Sequence, residues 1–177
     1  MNVILQLIFR SLETGSVYAL APLVGQYYMT KEELALDPIQ VAPLKMFFDT
    51  QNKAVIDSIW DQAIYSVNKP SKEDNELYIN ETMKQRNIID VLWSLTTFNM
   101  SPLTNGVTLG DGTIRNVKCP VLSIWGKNDV VVLEYMIDET CEALGNCKKV
   151  IFEDSGHSPY VDQPERLEEE IRKFLKN

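Results

Sequence analysis

The sequence is poor in the residues that bind metals or build disulfide frameworks. It contains one histidine and three cysteines in 177 residues, with no C-x-x-C pair. A structural zinc site needs about four closely spaced Cys or His ligands, so we expect no metal, and no cofactor is expected either. The cysteines are Cys119, Cys141 and Cys147. An odd and small number favours reduced thiols in a cytoplasmic protein.

Long apolar runs and excess basic charge are also missing. Arg10 and Glu13 interrupt the apolar stretch that begins at Met1, well short of the roughly 20 residues that span a bilayer. The stretch lacks the basic start of a signal peptide, so we expect neither secretion nor a membrane partner. Lys and Arg number 17 against 25 Asp and Glu, which gives a net charge of −8. Because phosphate binding needs clustered cations, nucleic acid is not an expected partner.

Residues 1–98 are predicted to be almost entirely helical. Thr30 and Glu33 form a capping box, in which a hydroxyl and a carboxylate bind the free N–H groups of the first turn. Apolar side chains recur at three-and-four spacing over residues 52–66, which predicts one apolar helix face. Ser71 begins a further helix. This segment therefore has the pattern of a separate helical layer.

From Lys118 onward the pattern changes to alternating strands and helices. Residues 120–125 form a short apolar run typical of a strand that is buried on both faces. Residues 133–144 predict a helix, residues 149–152 a second strand, and Pro164 the start of a last helix. Such a βαβα order predicts parallel strands joined by a right-handed crossover. The fold class is therefore α/β.

An acid and the only histidine follow the two predicted strands. Asp129 ends the turn Gly126-Lys-Asn-Asp after the first strand, and His157 ends Glu153-Asp-Ser-Gly-His after the second. Because the carboxyl ends of parallel strands lie at one edge of a sheet, the two side chains should meet there. A histidine that is held by a carboxylate on one ring nitrogen can act as a base with the other.

The strings around these two residues resemble a known family. Val117–Asp129 (VKCPVLSIWGKND) and Val150–Glu165 (VIFEDSGHSPYVDQPE) resemble the strands and turns that deliver the acid and the histidine of α/β-hydrolases. The acid precedes the histidine, as it does in that family. The resemblance is close over residues 115–177 and loose over 20–98, where it implies a helical cap. It implies a partial α/β-hydrolase fold, with a cap over 1–98 and the C-terminal part of the core over 99–177.

Within this resemblance, Asp129 is the predicted orienting acid and His157 the predicted general base and acid. Asp154 and Asp162 compete for the first role, but the position after the first strand favours Asp129. Gly126 is expected to allow a sharp turn after the strand, and Gly156 to let backbone pass beside the imidazole.

The family's nucleophile is missing from the sequence. It sits on a G-x-S-x-G turn, and no serine here lies in such a pentapeptide; Gly15-Ser16 is the nearest fragment. No glycine-rich oxyanion loop is found either. Only the last two strands of the family's sheet are recognisable. Val3–Phe9 supplies a further strand or begins a cap helix, and we favour the helix. An unpaired apolar edge promotes association, so a homodimer or a complementing chain is an expected partner.

We therefore expect a truncated or split α/β-hydrolase that acts on a small ester or amide through a Ser-His-Asp triad whose nucleophile is not in this chain. A complementing half, a degenerate remnant and a misassigned start all stay open. The alternative is a non-catalytic binding or partner module derived from that fold. Aromatic and Met side chains of the helical segment favour an apolar substrate or ligand, although packing within the cap is the preferred interpretation. They are Tyr27, Tyr28, Met29, Met46, Phe47, Phe48, Trp60, Tyr65, Trp93 and Phe98.

Overall fold

The computed structural model describes residues 4–5, 30–38 and 41–176 of the chain. In chain order its helices and strands are β1 (Ile4–Leu5), α1 (Lys31–Ala35), α2 (Val41–Asp49), α3 (Lys53–Ala63), α4 (Lys72–Thr82), α5 (Ile88–Thr97), a 3₁₀ helix (Thr113–Asn116), β2 (Val121–Gly126), α6 (Glu134–Leu144), β3 (Cys147–Phe152), α7 (Pro159–Asp162) and α8 (Pro164–Leu175). The fold class is α/β, as predicted. No helix in the described ranges has both the length and the apolar character needed to cross a membrane.

The strands form one parallel sheet in the order β1-β2-β3. Strands β2 and β3 pair in register from Val121 with Cys147 to Gly126 with Phe152. The helix α6 connects them, so the predicted parallel crossover is confirmed. This register brings the carboxyl ends of both strands to the same edge.

The first strand corrects the preferred interpretation of Val3–Phe9 as a helix. Ile4 and Leu5 pair in parallel with Val121 and Leu122 of β2. The reason is that all six residues of β2 are buried, and such a strand needs a neighbour on both edges. The other residues of Val3–Phe9 lie outside the described part of the chain.

The chain divides into two compact units that are discontinuous in sequence. Within the described residues, the sheet unit contains residues 4–5, 61–70 and 113–176, and the helical unit contains residues 30–38, 41–60 and 71–112. Residues 61–70 are part of the sheet unit. The division into 1–98 and 99–177 stays a prediction.

The core of the sheet unit has two clusters, one on each face of β2. Leu122 and Ile124 pack with Phe152 and with Leu167 of α8. Trp125 packs with α6 and the loop before it, through Val132, Met136 and Ile137. Because successive side chains of a strand point to opposite faces, α8 and α6 cover opposite sides of the sheet. This packing holds the two strand ends on which the candidate site is built.

The helical unit follows the sequence pattern closely. The predicted capping box is confirmed: Thr30 Oγ1 accepts from the N–H of Glu33, and the Glu33 carboxylate accepts from the N–H of Thr30. Ser71 likewise caps α4. Several of the aromatic side chains serve the unit's own packing, since Phe48 is buried and Phe47 and Trp60 pack around it. Trp93 packs against a second cluster of buried residues, Leu34, Val41 and Leu92.

The cysteines differ from the prediction of reduced thiols. Cys141 and Cys147 form a disulfide, while Cys119 is free. Helix α6 ends at Leu144 and is capped by Gly145, whose φ of 68° is left-handed. This turn reverses the chain and places the Cα atoms of the two cysteines 4.9 Å apart, within the range that a disulfide spans.

Candidate active site

Backbone hydrogen bonds join the two loops that follow β2 and β3. The N–H of Lys127 donates to the carbonyl of Phe152, and the N–H of Asn128 donates to the carbonyl of Ser155, both at 2.9 Å. The Asn128 side-chain amide also donates to the carbonyl of Glu153 at 3.0 Å. The loops are therefore held side by side beyond the end of the sheet.

Asp129 and His157 meet at this point. His157 Nδ1 lies 3.0 Å from Asp129 Oδ2 and 3.1 Å from Oδ1. The His157 side chain is only 5% exposed and the Asp129 side chain only 6%. Because water competes little at a buried site, a hydrogen bond here is stronger than one at the surface. The structure thus brings together the two residues that the sequence singled out.

The orientation of the Asp129 carboxylate is set by the chain that follows it. Its Oδ1 accepts from the N–H of Val131 at 2.8 Å and from the N–H of Val132 at 2.9 Å. The N–H of Asp129 itself donates to the carbonyl of Gly126, which closes the turn. An aspartate with a short, anchored side chain can thereby hold an imidazole in one orientation.

With Nδ1 directed at the acid, Nε2 is the nitrogen left for a reacting group. No other described residue forms a hydrogen bond with the His157 ring. A histidine in this arrangement can take a proton at Nε2 and return it, while the carboxylate holds the ring in the Nδ1–H tautomer.

Gly126 is required by close approach. A Cβ on Gly126 would lie 2.1 Å from the carbonyl oxygen of Gly156 and 2.5 Å from that of Ser155. Its φ is not among the left-handed values of the described glycines. The expected sharp turn is therefore not what demands glycine here; the contact with the histidine loop does.

Gly156 is also tightly surrounded. A Cβ there would lie 2.7 Å from Ser66 Oγ and 3.2 Å from Val67 Cγ2. The histidine loop thus packs directly on the 61–70 segment of the same unit.

The two competing acids do not contact the imidazole. Asp154 is exposed. Asp162 instead accepts from the N–H of Gly156 at 2.8 Å and from Ser155 Oγ at 3.0 Å. These contacts of Asp162 were not predicted, because the position of an acid in the sequence does not show which backbone N–H groups its carboxylate will bind.

An ion pair between Lys127 and Glu153 also joins the two loops. The hydrogen bond and charge of Glu153 raise the pKa of Lys127 above its ordinary value. Both side chains are exposed, so the pair contributes little to stability.

No described serine lies in a nucleophile turn. Ser158 follows His157 and is fully buried, and its hydroxyl has no hydrogen-bond partner among the described residues. It is followed by Pro159 and Tyr160, where the nucleophile turn would require glycine at the second position. Gly15 and Ser16, the nearest fragment in the sequence, lie outside the described residues.

Comparisons with known proteins find similarity over part of the chain. No family model matches. Over 89 residues, 50% of this chain, the sequence is 32% identical to the AB hydrolase superfamily protein YclE of Bacillus subtilis (strain 168), and the match spans 29% of that protein.

Two solved esterases have a similar fold. The esterase EaEST from Exiguobacterium antarcticum superposes with a TM-score of 0.61 at 16% identity, covering 85% of this chain and 50% of that one. The esterase RhEst1 from Rhodococcus sp. ECU1013 gives a TM-score of 0.55 at 18% identity, covering 96% and 50%, respectively. The chain thus matches half or less of the length of each of these relatives.

Proposed function

Part of this chain is related to the α/β-hydrolases, and from that relationship we propose that it supplies the acid and the histidine of a hydrolase site for a small ester or amide. The observation that carries the proposal is the buried contact of 3.0 Å between His157 Nδ1 and Asp129 Oδ2. Two proteins of similar fold are described as esterases, which favours an ester as the bond that is cleaved.

In this proposal His157 acts first as a base and then as an acid. Its Nε2 takes the proton of a serine hydroxyl as that oxygen attacks the carbonyl carbon, and it then gives the proton to the leaving group. Asp129 keeps the ring in the tautomer with a proton on Nδ1 and stabilises the imidazolium that forms. The same cycle is repeated with water to release the acid.

We propose that the serine belongs to polypeptide beyond these 177 residues, since no serine in them lies in a G-x-S-x-G turn. Such polypeptide would also extend the sheet past β1. A second copy of the chain is the other candidate for that edge, and light scattering of the purified chain distinguishes a monomer from a homodimer.

The substrate is proposed to be apolar because the helical segment is rich in aromatic and Met side chains. Of these, Met46 and Phe98 are exposed, at 52% and 42%. A series of p-nitrophenyl esters of increasing acyl length tests this point. A preference for longer chains is expected, and equal rates would contradict it.

The test of the catalytic roles uses an activated ester and a fluorophosphonate probe. The chain is expressed alone and together with the coding sequence immediately upstream. Turnover and labelling are expected only in the second case. His157→Ala should abolish turnover, and Asp129→Asn should lower kcat by up to roughly 10⁴-fold, because the wrong tautomer is then held.

Asp154→Asn serves as the matched control, since Asp154 is an exposed acid on the histidine loop. It should leave turnover unchanged. Activity that persists in His157→Ala would contradict the proposal. Labelling of the chain alone would place the nucleophile within these residues.

One observation favours a second function. The lack of a nucleophile turn in the sequence also suits a non-catalytic module that binds a ligand or a partner chain. Absence of both labelling and turnover in every combination, with retained binding of a co-expressed chain, would support this alternative.

A further inference from the structure

Asp162 ends helix α7 and binds the loop that carries the histidine. Its Oδ2 accepts from the N–H of Gly156 at 2.8 Å and from the hydroxyl of Ser155 at 3.0 Å. Ser155 is fully buried. Hydrogen bonds to an ionised acceptor are stronger than those to a neutral one, so this carboxylate is a strong anchor for the loop.

The anchored group is a single peptide unit. The carbonyl of Ser155 accepts from the N–H of Asn128 at 2.9 Å, and the N–H of Gly156, in the same peptide plane, donates to Asp162. A planar peptide that is held at both edges cannot rotate. Asn128 directly precedes Asp129, and Gly156 directly precedes His157. The plane therefore fixes the histidine relative to the loop of its acid.

The second oxygen of Asp162 binds another part of the sheet unit. Its Oδ1 accepts from the backbone N–H of Asn68 at 2.9 Å. Ser66 lies against Gly156 so closely that a Cβ on Gly156 would come within 2.7 Å of its hydroxyl. One carboxylate thus joins the histidine loop to residues 66–68.

We propose that Asp162 is a positioning residue, which fixes the Ser155–Gly156 peptide and through it holds the His157 ring against Asp129. A role of Asp162 in turnover rests on the proposed function above. Its effect on the position of the His157 ring is independent of that function, because the ring can be observed without any substrate.

The test exploits the single histidine of the chain, which gives one set of imidazole resonances. Long-range ¹H–¹⁵N correlation of the wild-type protein should show the Nδ1–H tautomer and a slowly exchanging Nδ1 proton. In Asp162→Asn one carboxylate oxygen becomes an amide donor, which cannot accept from N–H or O–H. We expect loss of the protected Nδ1 proton and a mixture of tautomers.

Two variants separate position from charge. Asp154→Asn removes an equal charge from the histidine loop itself and should leave the imidazole resonances unchanged. Asp162→Glu restores a carboxylate and should recover the Nδ1 proton at least in part. An Asp162→Asn protein with wild-type imidazole resonances would overturn the proposal.

A measurement on the wild-type protein covers the case in which Asp162→Asn does not fold. The amide proton of Gly156 should exchange at least about tenfold more slowly than in an unstructured peptide, since it donates to a carboxylate. Rapid exchange would equally overturn the proposal. If the ring depends on Asp162 but no ester is ever cleaved, the proposed function fails and the positioning role stands.

Discussion

At the scale of single residues, the geometry of the site depends on a close contact between two backbones. Gly126 and the carbonyl of Gly156 are so close that a methyl group on Gly126 would overlap that oxygen at 2.1 Å. The backbone on the other side is itself held by hydrogen bonds to Asn128 and Asp162. A small shift of the Gly156 backbone therefore cannot relieve the clash with a Cβ on Gly126.

We expect Gly126→Ala to destabilise the protein by about 1–3 kcal/mol, the usual cost of overpacking, and to disturb the His157 imidazole resonances. Urea unfolding and the NMR experiment measure the two effects. Gly145→Ala is the matched control: a Cβ there meets nothing within 4 Å, and only its φ of 68° opposes the change, at about 1 kcal/mol. Unperturbed imidazole resonances in Gly126→Ala would show that the loops can separate without affecting the pair.

The sequence was sufficient to predict the pairing of Asp129 and His157, because both follow strands whose ends must coincide in a parallel sheet. It was insufficient for Asp162 and Asn128. Their hydrogen bonds depend on how two loops pack in three dimensions, and a carboxylate next to a histidine in sequence suggests an ion pair as readily as a backbone anchor.

At the scale of whole elements, one lysine of strand β3 forms ion pairs with helix α6. Lys149 Nζ donates to Glu134 and Asp138 of α6, and it lies 5.9 Å from the centre of the Trp125 ring. Burial alone would lower the pKa of Lys149, but the hydrogen bonds and charges of Asp138 and Glu134 outweigh it, so the pKa lies above the ordinary value of 10.5.

We expect Lys149→Met to lower the free energy of unfolding by about 1 kcal/mol near pH 7. A lysine whose pKa is raised on folding stabilises the protein below its unfolded pKa and loses that contribution as pH rises through the folded value. The difference between wild type and variant should therefore shrink in alkaline solution. Lys148→Met is the control, since Lys148 is 52% exposed and 3.5 Å from Glu170. Equal stability of wild type and Lys149→Met at neutral pH would contradict a stabilising role of Lys149.

The boundaries of the elements were predictable where burial was complete and less so where it was partial. Strand β2 was expected over 120–125 and spans Val121–Gly126, because all of its side chains are buried. Strand β3 begins at Cys147, two residues before its expected start, since Cys147 is only partly buried and Lys148 is exposed, so they give no apolar pattern. β1 is two residues long, too short for any periodicity to distinguish strand from helix.

At the scale of the whole molecule, the change of pattern at Lys118 correctly located the start of the alternating βαβα region. The division into units was harder to predict. Residues 61–70 begin within the last turn of helix α3 and belong to the sheet unit, where Asn68 donates to Asp162. The two units are defined by contacts between segments that are distant in sequence, and the sequence pattern alone does not show these contacts.

The redox state is also a property of the whole molecule, and here the structure and the composition disagree. Few cysteines favoured reduced thiols in a cytoplasmic protein, whereas Cys141 and Cys147 are bonded. The number of cysteines does not show how close they lie in space. The left-handed turn at Gly145 brings Cys141 and Cys147 close together. Closing so short a loop stabilises a protein by about 2 kcal/mol in the chain-entropy model.

We expect iodoacetamide to label one cysteine, Cys119, in the denatured protein without reductant, and three after reduction, as counted by mass spectrometry. The double variant Cys141→Ser, Cys147→Ser should be about 2 kcal/mol less stable than oxidised wild type and match the reduced wild type. Cys119→Ser removes the thiol outside the pair. It should lower each label count by one and leave both stability comparisons unchanged. Three labels without reductant, in protein purified under air, would restore the reduced state that the composition indicated.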